Sequence, residues 1–192
     1  MLLRLLKNIC FGVAILMLLG GCSHKTHTSG TSVSSKPYFC RGKWYYPQNY
    51  YEYDEVGLAS WYGAEFHGKT KATGELFNRF DMTAAHRTLP LPTVIKVTSL
   101  LTNKSVILVV DDRGPYVYKG RIIDLSYGAA VALGITNFKP SKVHITSLPQ
   151  DSLKLSNYIR KHCKKRRDPH GRSWSELYFQ EIAKTQPRFY RK

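Results

Sequence analysis

The middle of the chain alternates between short apolar runs and polar turns. Residues Thr93–Ser99 and Ser105–Asp111 are rich in β-branched side chains, and the five residues between them give the spacing of a β-hairpin. The apolar character of both runs is nearly continuous, which favours strands that are buried on both faces, as in a closed barrel. Further strands are predicted at Arg121–Leu125 and Lys142–Leu148.

Helical patterns are brief. A helix of small residues is predicted over Tyr127–Leu133, with Ser126 as its N-cap. Ser173 begins a second predicted helix that reaches about residue 184, and Glu176 completes its capping box. Several short strands with few helices indicate a barrel or a sandwich rather than a parallel α/β sheet.

The first 22 residues have the pattern of a secretion signal. A cationic start is followed by an apolar run from Ile9 to Leu19, which is too short for a comfortable membrane span. The small residues before Cys22 resemble a bacterial lipobox, which implies removal of residues 1–21 and lipidation of Cys22, with attachment to a membrane. Ser23 resembles the residue that follows the cysteine in outer-membrane lipoproteins facing the periplasm. An ordinary signal peptide with a chance cysteine is the alternative.

Composition divides the remaining chain into three parts. Residues 22–55 hold a Ser/Thr-rich segment, expected to be a flexible tether, and a Tyr-rich lead-in, expected to lie extended over a domain with its rings as anchors. Residues 56–148 have the composition and the short apolar runs expected of one β-rich domain. Residues 149–192 form a basic C-terminal tail with a short helix. The chain that remains after residues 1–21 is long enough for one compact core, and we expect a monomer.

The positive charge is unevenly distributed. The net charge is +16, and half of it falls on the tail of residues 149–192. A secreted lipoprotein does not normally encounter nucleic acid, so an anionic envelope polymer or lipid headgroup is the expected partner of the run Lys161–Arg167. A solvated charged face is the alternative.

Two cysteines remain after the signal and Cys22 are set aside. Cys40 and Cys163 flank the central region in a compartment that permits disulfides, and they are expected either to pair or to stay free, because spacing alone does not decide between the two. No cluster of histidine and cysteine has the spacing of metal ligands, and neither a metal nor another cofactor is expected.

The segment Asp111–Pro115 ends an apolar run on paired carboxylates, a cation and two turn-forming residues. Burial of such a carboxyl would raise its pKa and let it donate a proton. The alternative is a strand that ends in a turn, with an aspartate capping the backbone.

Six ordered blocks carry a family resemblance: Gly57–Gly63, Phe66–Gly68, Thr73–Glu75, Thr83–Pro90, Asp112–Pro115 and Arg121–Ser126. They resemble the rare lipoprotein A (RlpA) family over about residues 56–148. The resemblance implies a mainly β fold, a six-stranded double-psi β-barrel with one or two short helices. It also implies a lytic transglycosylase that cleaves peptidoglycan between N-acetylmuramic acid and N-acetylglucosamine to leave 1,6-anhydro ends, in wall remodelling or daughter-cell separation.

The resemblance implies roles for individual residues. Asp112 matches the catalytic acid, which protonates the leaving sugar and then accepts the proton of the muramic C6 hydroxyl. Because that hydroxyl is the internal nucleophile, no second carboxylate is needed to activate water. Glu75 and His86 match positions in the active groove, where they would orient the acid and bind sugar groups. The alternatives are an exposed loop carboxylate for Glu75 and a structural histidine for His86.

Further residues are expected near the substrate. Tyr62 is expected to stack on a sugar, with Trp61 in the core. Arg113 is expected to face a structural partner or the glycan. Asp124 is expected to accept backbone N–H bonds at the junction of strand and helix, or alternatively to line the groove.

Two departures from the family pattern keep other functions open. Asn78 stands where many members carry an aspartate, so it can bind substrate but cannot act as a general base. The tail of residues 149–192 replaces the glycan-binding repeat domain of longer members and is too short and too charged to form it. A non-catalytic, expansin-like peptidoglycan-binding lipoprotein is the main alternative, and a basic adhesive lipoprotein with the barrel as scaffold is a third.

Overall fold

The structure is a computed structural model that describes residues 35–48, 52–163 and 168–185. Its strands are β1 Tyr38–Cys40, β2 Lys43–Tyr45, β3 Asp54–Trp61, β4 Thr83–His86, β5 Thr93–Ser99, β6 Ser105–Asp112, β7 Arg121–Leu125 and β8 Ser141–Ser147. Its α-helices are α1 Tyr127–Leu133, α2 Pro149–His162 and α3 Trp174–Leu177, and single helical turns occur at Ala64–Phe66, Tyr178–Ile182 and Ala183–Thr185. The predicted signal, Cys22 and nearly all of the tether lie outside these residues. Within them, no helix has both the length and the apolar character needed to cross a membrane.

Strands β3 to β8 close into a barrel in the order β3-β7-β4-β6-β5-β8. The pairs β3–β7 and β4–β6 are parallel and the other four are antiparallel. The predicted closed six-stranded barrel is therefore confirmed. Fully buried apolar side chains fill its interior, and each contributes about 1.5–3 kcal/mol by leaving water; they include Ile95, Val97, Leu108, Val110, Ile123, Val143 and Ile145.

The strongest apolar runs became strands at the predicted places. β5 and β7 have the predicted bounds, whereas β6 extends one residue further and β8 begins and ends one residue earlier. The prediction missed β3 and β4. The first half of β3 is largely exposed, so its pattern is weakly apolar. Strand β4 contains Ala84 and Ala85, whose small side chains have little intrinsic strand preference.

The helices near the barrel follow local capping rules. The Ser126 hydroxyl accepts the N–H of Ala129 at 3.1 Å, as predicted, and Gly134 ends α1 in the left-handed region at φ 71°. Ser173 and Glu176 form the predicted capping box of α3. The prediction of a single helix in the tail was wrong, because α2 spans 14 residues there. Its buried stripe is narrow and its last turn is basic, which concealed the pattern.

The Tyr-rich lead-in is a β-hairpin rather than one extended segment. Tyr38 and Tyr45 stack across β1 and β2 with ring centroids 5.2 Å apart, and the Tyr45 ring meets Tyr116 edge-on at 5.5 Å. The Tyr38 hydroxyl donates to the backbone oxygen of Arg87 at 2.9 Å. These rings attach the hairpin to the loop that follows β6, beside the site described next.

Candidate functional site

A cavity of about 1030 Å³ opens at the end of the barrel where β6 finishes. Strand β3, the loop after it, the loop after β6 and strand β7 supply its walls. Aromatic and charged side chains dominate the lining; those that bear on the chemistry are Trp61, Tyr62, Lys71, Asp112, Arg113, Tyr116, Tyr118, Arg121, Asp124 and Lys139.

A bulge in β6 separates the two neighbouring aspartates. In the pairing of β4 with β6, Ala84 faces Val110 and Ala85 faces Asp112, so Asp111 is an extra residue on β6. Asp111 is completely buried, whereas Asp112 is partly exposed and lines the cavity. The two carboxyls therefore have different environments although they are adjacent in sequence.

Hydrogen bonds hold Asp112 in one orientation. Its Oδ1 accepts the backbone N–H groups of Ala72 and Arg113, each at 2.8 Å, and its Oδ2 accepts the Tyr62 hydroxyl at 3.3 Å. Burial raises the pKa of Asp112 above its ordinary value, while these donors and the nearby Lys71 act in the opposite direction. The carboxyl is thus fixed beside an open cavity and retains its proton to a higher pH than a solvated aspartate.

Lys71 joins two carboxylates beneath Asp112. Its ammonium lies 2.5 Å from Asp111 Oδ2 and 3.1 Å from Glu75 Oε2, and its side chain is almost fully buried. Burial raises the pKa of Asp111 to about 7 although Lys71 opposes the change. Burial alone would lower the pKa of Lys71, but the two carboxylates raise it above its ordinary value.

Tyr62 lies between the acid and an apolar wall. Its ring packs against Phe66 and Phe77, each with centroids 5.0 Å away, and its hydroxyl faces Asp112. Burial and the neighbouring Asp112 raise the pKa of Tyr62, so its hydroxyl remains a donor. The Tyr62 ring therefore makes aromatic contacts with the protein, and the residue also lines the cavity.

Trp61 serves both the core and the cavity. Its ring packs edge-on against Tyr127 at 5.3 Å and contacts the buried core, as expected. The other side of the residue lines the cavity, where the Lys139 ammonium lies 3.4 Å from the ring centroid. The Trp61 ring therefore separates the buried core from the cavity.

Arg113 turns away from the acid beside it. Its Nη1 donates to the backbone oxygens of His86 at 3.2 Å and Leu89 at 2.5 Å, and its guanidinium lies 5.2 Å from the Tyr38 ring centroid. These are the structural partners that the sequence led us to expect, although the residue also lines the cavity.

His86 does not line the cavity. Its Nδ1 accepts the backbone N–H groups of Thr88 at 3.2 Å and Leu89 at 2.9 Å, and its Nε2 lies 3.0 Å from the Tyr53 hydroxyl. Burial, with the nearby Arg87 and Arg113, lowers the pKa of His86 to about 3. The expected contact with a sugar is absent from this geometry, which instead fits the structural alternative.

Glu75 and Asn78 also lie away from the cavity lining. Among the described contacts, Glu75 is connected to the site through Lys71. Asn78 is exposed on a turn, where its Nδ2 donates to Asp81 Oδ1 at 2.8 Å and its Oδ1 accepts the Phe80 N–H at 3.2 Å. In this geometry the amide shapes the loop.

Asp124 lines the cavity and forms an ion pair with Arg121. Its Oδ1 lies 3.1 Å from Nη1 of Arg121, and burial raises the pKa of Asp124 although Arg121 opposes the change. Among the contacts of the described residues, no backbone N–H donates to the Asp124 carboxylate, and the residue lines the cavity as in the alternative expectation. Ser126 caps the strand–helix junction: its hydroxyl accepts the Ala129 N–H at 3.1 Å and donates to the backbone oxygen of Asp81 at 2.5 Å.

The two cysteines are free thiols. Cys40 ends β1 beside Tyr38 and Tyr116, whereas Cys163 ends α2 close to Asp168. Across the described ranges, no three His, Cys, Asp or Glu side chains are grouped in a way that could hold a metal ion.

Sequence reasoning missed Lys71 and Ala72. A lysine in a polar loop has no local signal that separates it from a solvated charge, and its partner Asp111 lies 40 positions away. The backbone N–H of Ala72 carries no side-chain signal at all. Only the closed barrel brings these pairs together.

The family described as lytic transglycolase matches residues 54–145, which covers every barrel strand except the last two residues of β8. The barrel is similar to proteins called endolytic peptidoglycan transglycosylase RlpA. The protein of Pseudomonas aeruginosa (strain UCBPP-PA14) is 48% identical over 61% of this chain and 34% of its own length.

Two more relatives carry the same name. The protein of Rickettsia felis is 47% identical over 71% of this chain and 60% of its own length. The protein of Campylobacter jejuni is 51% identical over 54% of this chain and 38% of its own length. The chain thus spans between about a third and three fifths of the RlpA relatives cited. Among solved structures, the Streptomyces papain inhibitor SPI is 16% identical with a TM-score of 0.37, and it covers 48% of this chain and 94% of its own.

Proposed function

We propose that this protein is a lytic transglycosylase that cleaves peptidoglycan glycan strands between N-acetylmuramic acid and N-acetylglucosamine. The proposal rests on Asp112, a partly buried carboxyl with a raised pKa that faces a cavity of about 1030 Å³. The RlpA relatives, which are named as peptidoglycan transglycosylases, support the choice of substrate and reaction.

The first step needs an acid. Protonated Asp112 donates its proton to the glycosidic oxygen, the bond from this oxygen to C1 of the muramic residue breaks, and positive charge develops at C1. The raised pKa of Asp112 favours this role. The N–H groups of Ala72 and Arg113 and the Tyr62 hydroxyl then stabilise the carboxylate that remains.

The second step uses the carboxylate as a base. Asp112 accepts the proton of the muramic C6 hydroxyl while the oxygen attacks C1, which closes the 1,6-anhydro ring and returns Asp112 to its protonated form. The nucleophile belongs to the substrate, so its effective concentration is high and no activated water is required. One carboxyl thus serves both steps.

The walls of the cavity suit a saccharide. Tyr116 and Tyr118 offer aromatic surface on which sugar rings can stack, and Arg121 and Lys139 offer donors to their oxygens. In this assignment Glu75 supports the site through Lys71, and His86 has a structural role in the fold. Asn78 shapes its loop, and Arg113 fixes the backbone next to the acid.

Product chemistry tests the proposal. Purified sacculi are incubated with the full mature chain, and the soluble products are separated and weighed by mass spectrometry. Anhydromuramic ends, each lighter by one water than a reducing end, are expected. Reducing ends alone, or no product from folded protein, would remove the lytic assignment.

A non-catalytic, expansin-like wall-binding protein is the second candidate. Two observations favour it: Asn78 replaces a carboxylate, and three donors to Asp112 stabilise its ionised form, which cannot act as an acid. This candidate predicts that the protein sediments with sacculi without releasing anhydro products, and that Asp112→Asn leaves sedimentation unchanged.

We also infer the position of the protein in the cell envelope. The sequence around Cys22 supports a lipid anchor, and Ser23 favours the outer membrane facing the periplasm, with the domain acting as a monomer. The basic run Lys161–Arg167 would contact anionic envelope polymers. Labelling with radioactive palmitate tests the anchor: the label should be lost in Cys22→Ser, and its retention would contradict the inference.

A further inference from the structure

The C-terminal segment, residues 168–184, lies beyond the residues that match the family and yet packs against the barrel domain. Trp174, Leu177 and Tyr178 are completely buried and belong to the same apolar cluster as the barrel interior. The Tyr178 hydroxyl donates to Asp151 Oδ2 at 2.8 Å, which ties the segment to α2. The segment is therefore a fixed part of the domain and not a solvated tail.

This segment contacts the loop that carries Glu75. The backbone N–H of Trp174 donates to the Glu75 carboxylate, and the Ser173 hydroxyl bonds to the Asp81 carboxylate. These contacts hold the loop at both ends. Between them, Phe77 is buried against the Tyr62 ring.

From Glu75 the contacts continue to the acid. Glu75 holds the Lys71 ammonium at 3.1 Å, and Lys71 holds Asp111 at 2.5 Å. The next residue, Ala72, donates its N–H to Asp112 Oδ1 at 2.8 Å. Displacement of Glu75 would therefore move both Lys71 and the backbone donor to the acid.

We propose that the C-terminal segment positions the active site, with the Trp174 N–H fixing Glu75 and, through Lys71 and Ala72, the orientation of Asp112. The inference rests on the proposed function for its effect on catalysis, but not for its structural part. Trp174 is thus a positioning residue that does not touch substrate.

A pair of variants isolates the N–H group. Trp174→Ala removes the indole and keeps the N–H, whereas Trp174→Pro removes both. Trp174 is the first residue of α3, where proline is well tolerated, and Ser173 before it has φ −70° and ψ 162°, which a following proline favours. The difference between the two variants therefore reports the lost donor to Glu75.

The first readout is independent of activity. The pKa of the Glu75 carboxyl is measured by carbon-detected NMR titration in both variants. We expect a higher pKa in Trp174→Pro, because a donor to the ionised form is missing. Equal pKa values in the two variants would overturn the proposal, even if the protein released no product from sacculi.

The second readout is catalytic. Release of anhydro products is expected to be about tenfold slower in kcat for Trp174→Pro than for Trp174→Ala, with KM unchanged, because a lost bond to a charged group costs about that factor. Identical kcat values would overturn the positioning role. If loss of the indole unfolds both variants, Ser173→Ala is compared with its conservative match Ser173→Thr. Only Ser173→Ala should slow kcat and alter the pH profile of kcat. Equal kcat values and equal pH profiles in the two Ser173 variants would contradict the proposal.

Discussion

The ammonium of Lys71 lies 2.5 Å from the carboxylate of Asp111, and this buried pair fixes the loop after β3 against the end of β6. The next residue of the loop, Ala72, donates its N–H to Oδ1 of the next residue of the strand, Asp112, at 2.8 Å. Two consecutive loop residues thus bind two consecutive strand residues. The bulge at Asp111 turns one carboxyl inward for structure and leaves the other facing the cavity for chemistry. The geometry of the acid therefore depends on the ion pair between Lys71 and Asp111.

Loss of Lys71 is expected to destabilise the fold. Lys71→Met leaves the buried Asp111 and the partly buried Glu75 without a counter-charge, which should lower the free energy of unfolding by about 3–5 kcal/mol. Urea unfolding measures this loss, with Lys142→Met on the exposed face of β8 as control. In a double-mutant cycle, Lys71→Met combined with Asp111→Asn should cost less than the sum of the two single changes. Strict additivity would contradict the coupling.

Removal of the Tyr62 hydroxyl is expected to alter the pH profile. Tyr62→Phe takes away a donor to the ionised form of Asp112, so the pKa of Asp112 should rise and the high-pH limb of kcat/KM should move to higher pH. The maximal kcat should fall about tenfold, because the acid is less well oriented. Rates of product release across pH check this, with the exposed Tyr46→Phe as control. A limb that stays in place would show that the hydroxyl does not interact with the acid.

His86 is expected to make the protein sensitive to acid. Its pKa is about 3 in the folded chain and near 6.5 in the unfolded chain, so the unfolded state binds the proton first as the pH falls. The stability that neutral His86 contributes is complete above about pH 6.5 and should decline by about 3 kcal/mol by pH 4. The physical cause is that Nδ1 already accepts two backbone N–H groups.

Chemical unfolding at several pH values tests this expectation. The fall in stability between pH 6.5 and pH 4 should be smaller in His86→Gln, which has no titrating ring, than in the wild type. Parallel curves for the two proteins would rule out His86 as the sensitive group.

Gly128 is expected to tolerate no side chain. A Cβ at this position would lie 2.4 Å from the backbone oxygen of Phe80, on the loop that also carries Asn78. Gly128→Ala should therefore destabilise the protein by about 1–3 kcal/mol through overpacking, although alanine is the better helix former. Thermal melting checks this, and Val131→Ala, on the exposed side of the same helix, should melt close to wild type. An unchanged melting temperature in Gly128→Ala would contradict the close contact.

Local patterns were sufficient to predict the barrel strands with strong apolar runs and the capped helices α1 and α3. Strand β4 was not predictable in this way, because Ala84 and Ala85 have little intrinsic strand preference and become a strand only by pairing with β6 and β7. The narrow apolar stripe of α2 was hidden by its basic last turn.

The residues of the site likewise include some that the sequence could predict and others that it could not. Asp112 could be identified because it follows an apolar run and matches a family block. The roles of Lys71 and Ala72 could not, since they depend on contacts that span about 40 residues. His86 matched the family equally well, yet its ring nitrogens satisfy the protein's own backbone and Tyr53. A motif match identifies a position, whereas the direction in which a side chain points is decided by tertiary packing.

The most direct test of the central claim compares the rates at which wild type and Asp112→Asn release anhydromuramic products from purified sacculi. Asp54→Asn, which changes an exposed carboxylate on β3, is the matched control. We predict that Asp112→Asn folds and sediments with sacculi like the wild type but releases products about 10²–10⁴ times more slowly, because the asparagine amide cannot donate or accept the proton. Release by Asp112→Asn at the wild-type rate would contradict the assignment of Asp112 as the acid.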